Sequence, residues 1–237
     1  MKKYIGTKQI EAEPMTMGEA YERGLLQVGR VPDAEYAKRM GYHVKYADGY
    51  ESWSPAEPFE EAYKLADTSL DRMQIEAEEV NGRYVKLAAF IDSGKMDEVV
   101  NDMYNKCLLE MQCCTMFDYI RLLDTRIQRM QGSDGVKVIK MNFGMAIMAL
   151  KAGFPIRRSG WNGKGLMVFK QVPAHIESDI IPKMQSLPQS AKDLILKGKG
   201  FIDYTSQCLI YNENTGRADS WVPSISDVFA EDWEIVE

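Results

Sequence analysis

Eight residues, Arg157 to Lys164, bring together two guanidiniums, an indole, a carboxamide and an ammonium, with Gly160 and Gly163 between them. Arginine can hold a phosphate through two parallel N–H donors. An indole offers a flat face on which a base or a sugar can stack. Glycines let backbone N–H groups approach an anion closely. The set suits a small, planar, phosphorylated ligand. It also reads as a plain hairpin with a core tryptophan and solvated charges. A second cluster runs Trp221-Val222-Pro223-Ser224-Ile225-Ser226-Asp227, with Ser224 and Asp227 at capping-box spacing and Asp where Glu is usual. Capping accounts for both residues. The alternative has Trp221 and the helix start lining an anion site.

Conventional catalytic patterns are missing. The chain has no GxxxxGK followed by Ser or Thr, no GxSxG, no HExxH and no DFG. Lys197-Gly198-Lys199-Gly200 lacks phosphate-loop spacing and reads as a mobile loop. The only two histidines, His43 and His175, have no motif context and are expected in structural or surface roles. Cys107, Cys113, Cys114 and Cys208 form no CxxC pair, so reduced thiols are expected. Glu60-Glu61 and Glu78-Glu79 read as solvated helix faces. The expectation is a chain with no catalytic residues, no metal site and no cofactor.

Composition bounds the partners. The chain has 237 residues, 45% of them hydrophobic, which is enough for a real core. A net charge of −6 argues against a nucleic-acid polymer or a membrane surface as partner, since either needs a basic face. No apolar run approaches the roughly 18 residues of a membrane span. The opening Met1 to Gly6 is basic but has no apolar stretch behind it, unlike a signal peptide.

Three segments must position these residues. The fold class expected is α+β: a small N-terminal α+β module, a long central helical hairpin, and a C-terminal α+β domain with a mostly antiparallel sheet. In residues 1–66, Gly41–Tyr46 and Tyr50–Trp53 read as strands joined at Asp48-Gly49. Ser54-Pro55 then caps a helix through Phe59 and Tyr63. In residues 67–132, Met73, Val80, Tyr84, Leu87 and Ile91 make one helix face, which ends near Gly94. A second helix is expected from about Asp97 to Met130. Its Leu109, Cys113, Met116, Ile120, Leu123, Ile127 and Met130 repeat at four-three spacing, a coiled-coil-like seam that implies self-association or docking. Gln131 to Gly135 reads as a linker. In residues 136–237, Asn142 caps a helix carrying Phe143, Ile147 and Leu150. Strands follow at Pro155–Arg158, Leu166–Phe169, Phe201–Tyr204 and Gln207–Tyr211. A turn at Asn214–Arg217 and a short helix from Ser224 complete the domain.

The third segment resembles a known family. Met141-Asn142-Phe143-Gly144-Met145-Ala146, then Ser159-Gly160-Trp161-Asn162-Gly163-Lys164-Gly165-Leu166, then Trp221-Val222-Pro223-Ser224 to Ala230-Glu231-Asp232-Trp233-Glu234 are similar to the second type of Thoeris anti-defence protein. The resemblance covers nearly all of residues 139–237, except that the stretch Ile181–Lys199 is long for the family. It implies a phage protein, a homotetramer, that sequesters glycocyclic ADP-ribose without cleaving it, with some members holding cyclic dinucleotides in a separate pocket. The ligand-binding residues it implies are Arg158, Trp161, Asn162, Gly163, Lys164, Met167, Trp221, Ser224 and Asp227. The second segment, with Arg72, Glu76, Lys86-Leu87 and Phe90-Ile91-Asp92-Ser93 followed by Leu108-Leu109, Gln112, Met116, Tyr119, Leu122 and Arg126-Ile127, is similar to the small helical proteins typified by the second anti-CBASS protein. That family forms hexamers that take up cyclic di- and trinucleotides, and Lys86 is the residue nominated here for a phosphate or base contact. The first segment resembles an N-terminal module of assorted phage proteins, with no function implied.

The expected function is a non-enzymatic sponge acting in the host cytoplasm. It would hold nucleotide immune messengers as a homo-oligomer, tetramer or hexamer. A protein–protein inhibitor or phage assembly protein using the helical segment, and an enzyme degrading the messenger, stand as alternatives.

Overall fold

In a computed structural model of the protein, residues 8–236 are described; the opening Met1 to Gly6 lies outside them. The chain divides into two compact units between Glu78 and Glu79. The division falls inside one continuous helix, α3 (Ser69–Asp92).

The first unit is a three-stranded antiparallel sheet in the order β1-β2-β3, built from β1 (Glu11–Thr16), β2 (Met40–Lys45) and β3 (Glu51–Pro55). Gly49, at φ 85°, makes the expected hairpin turn. β1 and α1 (Met17–Glu22) were not expected from the sequence, although Thr16 and Glu19 form a complete capping box that marks the helix start. Trp53 is buried on one face of the sheet, and its indole N–H donates to the Met15 carbonyl at 3.0 Å. Gly41 lies beneath that ring: a Cβ there would fall 2.5 Å from Trp53 Cζ2. On the other face Tyr42 stacks on Phe59 of α2 (Ala56–Ala62), with ring centroids 4.1 Å apart.

His43 sits in the central strand of this sheet and bridges both edge strands. Nδ1 lies 3.2 Å from Glu13 and Nε2 2.9 Å from Glu51. Arg23, which follows α1, also reaches Glu13 at 3.3 Å, and Lys45 and Glu11 lie one pair further along the same face. Hydrogen bonding to Glu13, then to Glu51, raises the imidazole pKa above its ordinary 6.5. A raised folded value means the contribution is complete below about pH 6.5 and is lost as pH rises through that higher value. Hydrogen exchange at the Val44 amide is therefore expected to speed up, after correction for intrinsic rate, as pH rises through that window. In His43→Gln the corrected rate is expected to be flat. A flat wild-type curve would contradict the assignment.

The second unit begins in the C-terminal half of α3. Gly94, at φ 73°, ends that helix as expected. The expected helix over 97–130 is instead two, α4 (Lys95–Val99) and α5 (Met103–Met130). Asp102 causes the break: its carboxylate accepts the Tyr104 and Asn105 amides at 3.2 and 3.1 Å and starts α5 afresh. Within α5 the four-three seam is the covered face. Ile120 and Leu123 are buried, Leu109, Cys113, Met116 and Ile127 are half-buried, and only Met130 is exposed. Tyr84 of α3 meets Phe117 of α5 at 5.6 Å. Beside the seam a second stripe, Tyr104, Leu108, Met111 and Leu122, faces solvent.

After a turn at Gly132 the chain enters α6 (Phe143–Lys151) and a five-stranded antiparallel sheet in the order β10-β4-β5-β8-β9. The strands are β4 (Ile156–Arg158), β5 (Leu166–Lys170), β8 (Cys208–Asn212), β9 (Arg217–Ser220) and β10 (Trp233–Ile235). Asn142 caps α6, as expected, by accepting the Met145 amide at 3.0 Å. Its amide group also donates to Asp118 of α5, while Arg121 donates to the Lys140 carbonyl at 2.7 Å. Met141, Ala146, Leu150, Ile156, Val168 and Trp233 form the core between α6 and the sheet. The long stretch between β5 and β8 has structure of its own. β6 (Ala174–Ile176) pairs with β7 (Ile202–Tyr204), and a 3-10 turn at Ile181–Lys183, with Ile181 fully buried, precedes α7 (Gln189–Lys197).

Candidate functional site

The centre of the site is Asp227, on the short helix α8 (Ile225–Val228), with only 7% of its surface exposed. One carboxylate oxygen accepts the Ser224 amide at 3.0 Å and the Ser224 hydroxyl at 2.7 Å. The other accepts Arg158 Nη1 at 3.0 Å and the Trp161 indole N–H at 3.2 Å. Burial pushes this carboxyl pKa up, but the hydrogen bonds from Ser224, Arg158 and Trp161 outweigh it and hold the group below the usual carboxylate range. The capping box foreseen at Ser224 and Asp227 is real. It has a further consequence that local spacing could not reveal, because the capping carboxylate reaches 66 residues back to fix Trp161.

Arg158 is held from two sides. Its Nε donates to Asp232 at 2.7 Å, its Nη1 donates to Asp227, and the same nitrogen reaches the Ser226 carbonyl at 3.2 Å. Its neighbour Arg157 pairs with Glu234 across the β4–β10 ladder. Both arginines considered for phosphate contact are thus engaged by carboxylates of their own domain. Lys164 is different: it is exposed, and among the described residues it has no ion pair.

The turn from Gly160 to Gly165 is anchored at both ends. The Gly160 amide donates to Asp232 at 2.8 Å. At the far end Asn214 donates to the Lys164 carbonyl at 2.6 Å, and the Glu213 amide donates to the Gly165 carbonyl at 2.9 Å. Gly165 has φ 77°, and a Cβ there would fall 2.5 Å from Glu213 Cγ, so glycine is required on two counts. Between these anchors Asn162, Gly163 and Lys164 are exposed, and the Asn162 carboxamide makes no hydrogen bond among the described residues. Trp161 is half-buried and meets Trp233 edge-to-face at 5.4 Å. Trp221 meets the same ring edge-to-face at 6.1 Å. Trp233 is fully buried and donates its indole N–H to the Asp227 carbonyl at 3.1 Å.

The structure therefore brings Arg158, Trp161, Trp221, Ser224 and Asp227 together around Trp233, with Asn162, Gly163 and Lys164 on the adjoining turn. Met167 alternates with buried Val168 along β5 and projects from the other face of the sheet, opposite Tyr211. Lys86 stands apart, exposed on α3. The sequence reading missed the anchors Asp232, Trp233, Glu213 and Asn214, although the first two lie in the Ala230–Glu234 stretch that carried the family resemblance. Three open clefts lie elsewhere. One of about 570 Å³ is lined by Val99 to Asp102 and the start of α5, one of about 390 Å³ by Lys45, Tyr46 and Gly49, and one of about 370 Å³ by His175 and Asp203. None of these three is lined by the tryptophan turn.

A curated relative, Thoeris anti-defense 2 of Bacillus phage SP01, is 34% identical over 102 residues, which is 41% of this chain and 96% of the relative. The chain belongs to the Thoeris anti-defense 2 family. The sequence pattern of the Thoeris anti-defense 2-like domain matches residues 141–236, from the ladder residue Met141 through Trp233, and so contains every anchor described above except those on α5. The Sequestin pattern matches residues 67–129, which span α3 to α5. The two matched patterns thus lie in tandem on one chain. Among the described residues, no helix is long and apolar enough to cross a membrane.

Proposed function

We propose that this phage protein is a two-module sponge that binds nucleotide immune messengers and releases them intact, the Thoeris anti-defense 2-like domain taking glycocyclic ADP-ribose and the Sequestin-like hairpin cyclic di- or trinucleotides. Sequestration of signalling molecules is the function common to both matched families. The observation that carries the finer reading is the tethered turn. It presents an unpaired ammonium and a free carboxamide beside a half-buried indole, on a backbone fixed at both ends. Lys164 supplies charge to a phosphate, Asn162 supplies hydrogen bonds to a sugar or base edge, and Trp161 supplies a stacking face. Arg158, Ser224 and Asp227 act in this reading by holding Trp161, and Lys86 is the contact proposed for the hairpin.

Binding without turnover needs many sites, and self-association supplies them. The exposed stripe on α5 and the cluster Val222, Ile225 and Phe229, each about 80% exposed beside the site, fit homo-oligomer contacts. The same stripe supports a second reading, a protein–protein inhibitor or phage assembly protein. Action is in the host cytoplasm, where the messengers are made.

Calorimetric titration with glycocyclic ADP-ribose and a panel of cyclic di- and trinucleotides tests the proposal, followed by heat release and chromatography of the ligand. Tight binding with intact ligand recovered is the expected result. Converted ligand would make the protein an enzyme, and no binding by any probe would transfer the case to the protein-partner reading.

A further inference from the structure

Asp232 lies in the connection between α8 and β10 and touches no residue of the exposed turn tip. One of its oxygens accepts Arg158 Nε at 2.7 Å, and the other accepts the Gly160 backbone amide at 2.8 Å. The Ser159 amide also donates to the Asp232 carbonyl at 3.0 Å. This one residue therefore holds the strand end, the first backbone amide of the turn and the guanidinium that shares Asp227 with Trp161. Burial pushes the Asp232 carboxyl up in pKa, but the Arg158 and Gly160 hydrogen bonds prevail and keep it ionised well into the acid range. The fit is close enough to dictate its neighbour: a Cβ on Gly160 would fall 2.6 Å from Asp232 Oδ2. Gly160 does not have a positive φ, so its lack of a side chain serves the carboxylate and not the backbone.

We propose that Asp232 is a positioning residue for ligand capture, presetting the Trp161–Gly165 turn through the Gly160 amide and Arg158 before any ligand arrives. The inference rests on the sponge reading above. A turn that is already ordered spares the ligand the conformational entropy of ordering it. Asp232 thus acts on affinity while making no contact with the ligand. The two oxygens have separable tasks. The Gly160 acceptor sets the backbone of the turn, and the charge facing Arg158 is backed by Asp227.

The test is titration of the full-length protein with glycocyclic ADP-ribose, alongside thermal melting, for Asp232→Asn, Asp232→Ala, Gly160→Ala and the Gly160→Ala/Asp232→Ala pair. Asp232→Asn keeps an oxygen for the Gly160 amide and is expected to bind within about threefold of wild type. Asp232→Ala and Gly160→Ala are each expected to bind at least tenfold more weakly. The double variant should bind no worse than the weaker single variant, because the added methyl no longer meets a carboxylate. Gly160 amide exchange should accelerate in Asp232→Ala and not in Asp232→Asn. Folded Asp232→Ala that binds within twofold of wild type, or additive losses in the double variant, would overturn the proposal and leave the sponge reading intact. Should Asp232→Ala fail to fold, the Asp232→Asn and Gly160→Ala pair decides alone: equal losses in both reject the backbone role. A wild-type protein that does not bind the probe would instead remove the reading on which the proposal stands.

Discussion

Trp233→Ala is expected to lower the stability of the second unit by about 3–5 kcal/mol, the range for removing a fully buried aromatic. The ring has no exposed surface. It is met edge-on by Trp161 and Trp221, and Phe143 of α6 lies 5.7 Å away at a tilt. Its N–H satisfies the Asp227 carbonyl, and its backbone exchanges two hydrogen bonds with Met141, at 2.8 and 3.1 Å, where the chain enters α6. Truncation therefore leaves a cavity at the point where helix, sheet and site meet. Urea denaturation followed by tryptophan fluorescence would measure the loss. Trp233→Phe retains most of the volume and removes one of the hydrogen bonds to the Asp227 carbonyl, which keeps the Ala230 amide at 3.3 Å, so its cost should be smaller, about 0.5–1.5 kcal/mol for the lost bond. If Trp233→Ala unfolded within 1 kcal/mol of wild type, Trp233 would not be the centre of this core. Because the two site tryptophans rest on this ring, ligand affinity should fall with stability in both variants.

The periodic elements were legible in the sequence because their signals are local. The four-three seam of α5 was read as a set of apolar positions and is the covered face of that helix, with Met130 the exception at its end. Asn142 was read as a cap, and it is one. The break at Asp102 was lost because an apolar pattern runs across it, and one capping carboxylate decided the matter. α7 was lost because the stretch around it is rich in Pro, Ser and Lys, and its Lys192 ammonium donates to the Pro182 carbonyl at 3.0 Å, outside the helix's own sequence window. The same limit applies to the site. Residue types between Arg157 and Lys164 announced a phosphate-like ligand, but the two arginines are occupied by Asp227, Asp232 and Glu234, more than 65 residues distant in sequence. Spacing cannot reveal which of several cations is already paired. Only the tertiary fold singles out Lys164.

That distinction makes Lys164 and Asp227 separable by experiment. Lys164→Ala removes an exposed ammonium without an ion pair among the described residues, so thermal stability should stay within about 0.5 kcal/mol of wild type. Binding of glycocyclic ADP-ribose should weaken by tenfold or more, equivalent to at least about 1.4 kcal/mol. The residual affinity should depend less on salt than that of wild type, because a charge–phosphate contact is what has been lost. Asp227→Ala should behave in the opposite sense. It leaves Arg158 with one carboxylate instead of two, frees the Trp161 N–H and undoes the α8 cap, all at a buried position. Breaking a buried, hydrogen-bonded charge hub of this kind costs about 3–5 kcal/mol. Its affinity loss should follow from a displaced Trp161 and persist at high salt. Melting curves and calorimetric titrations of both variants, at low and high sodium chloride, separate the two effects. Equal destabilisation by both substitutions would mean that Lys164 is structural. Unchanged affinity in Lys164→Ala would take the phosphate off this turn and return Arg157 and Arg158 to consideration.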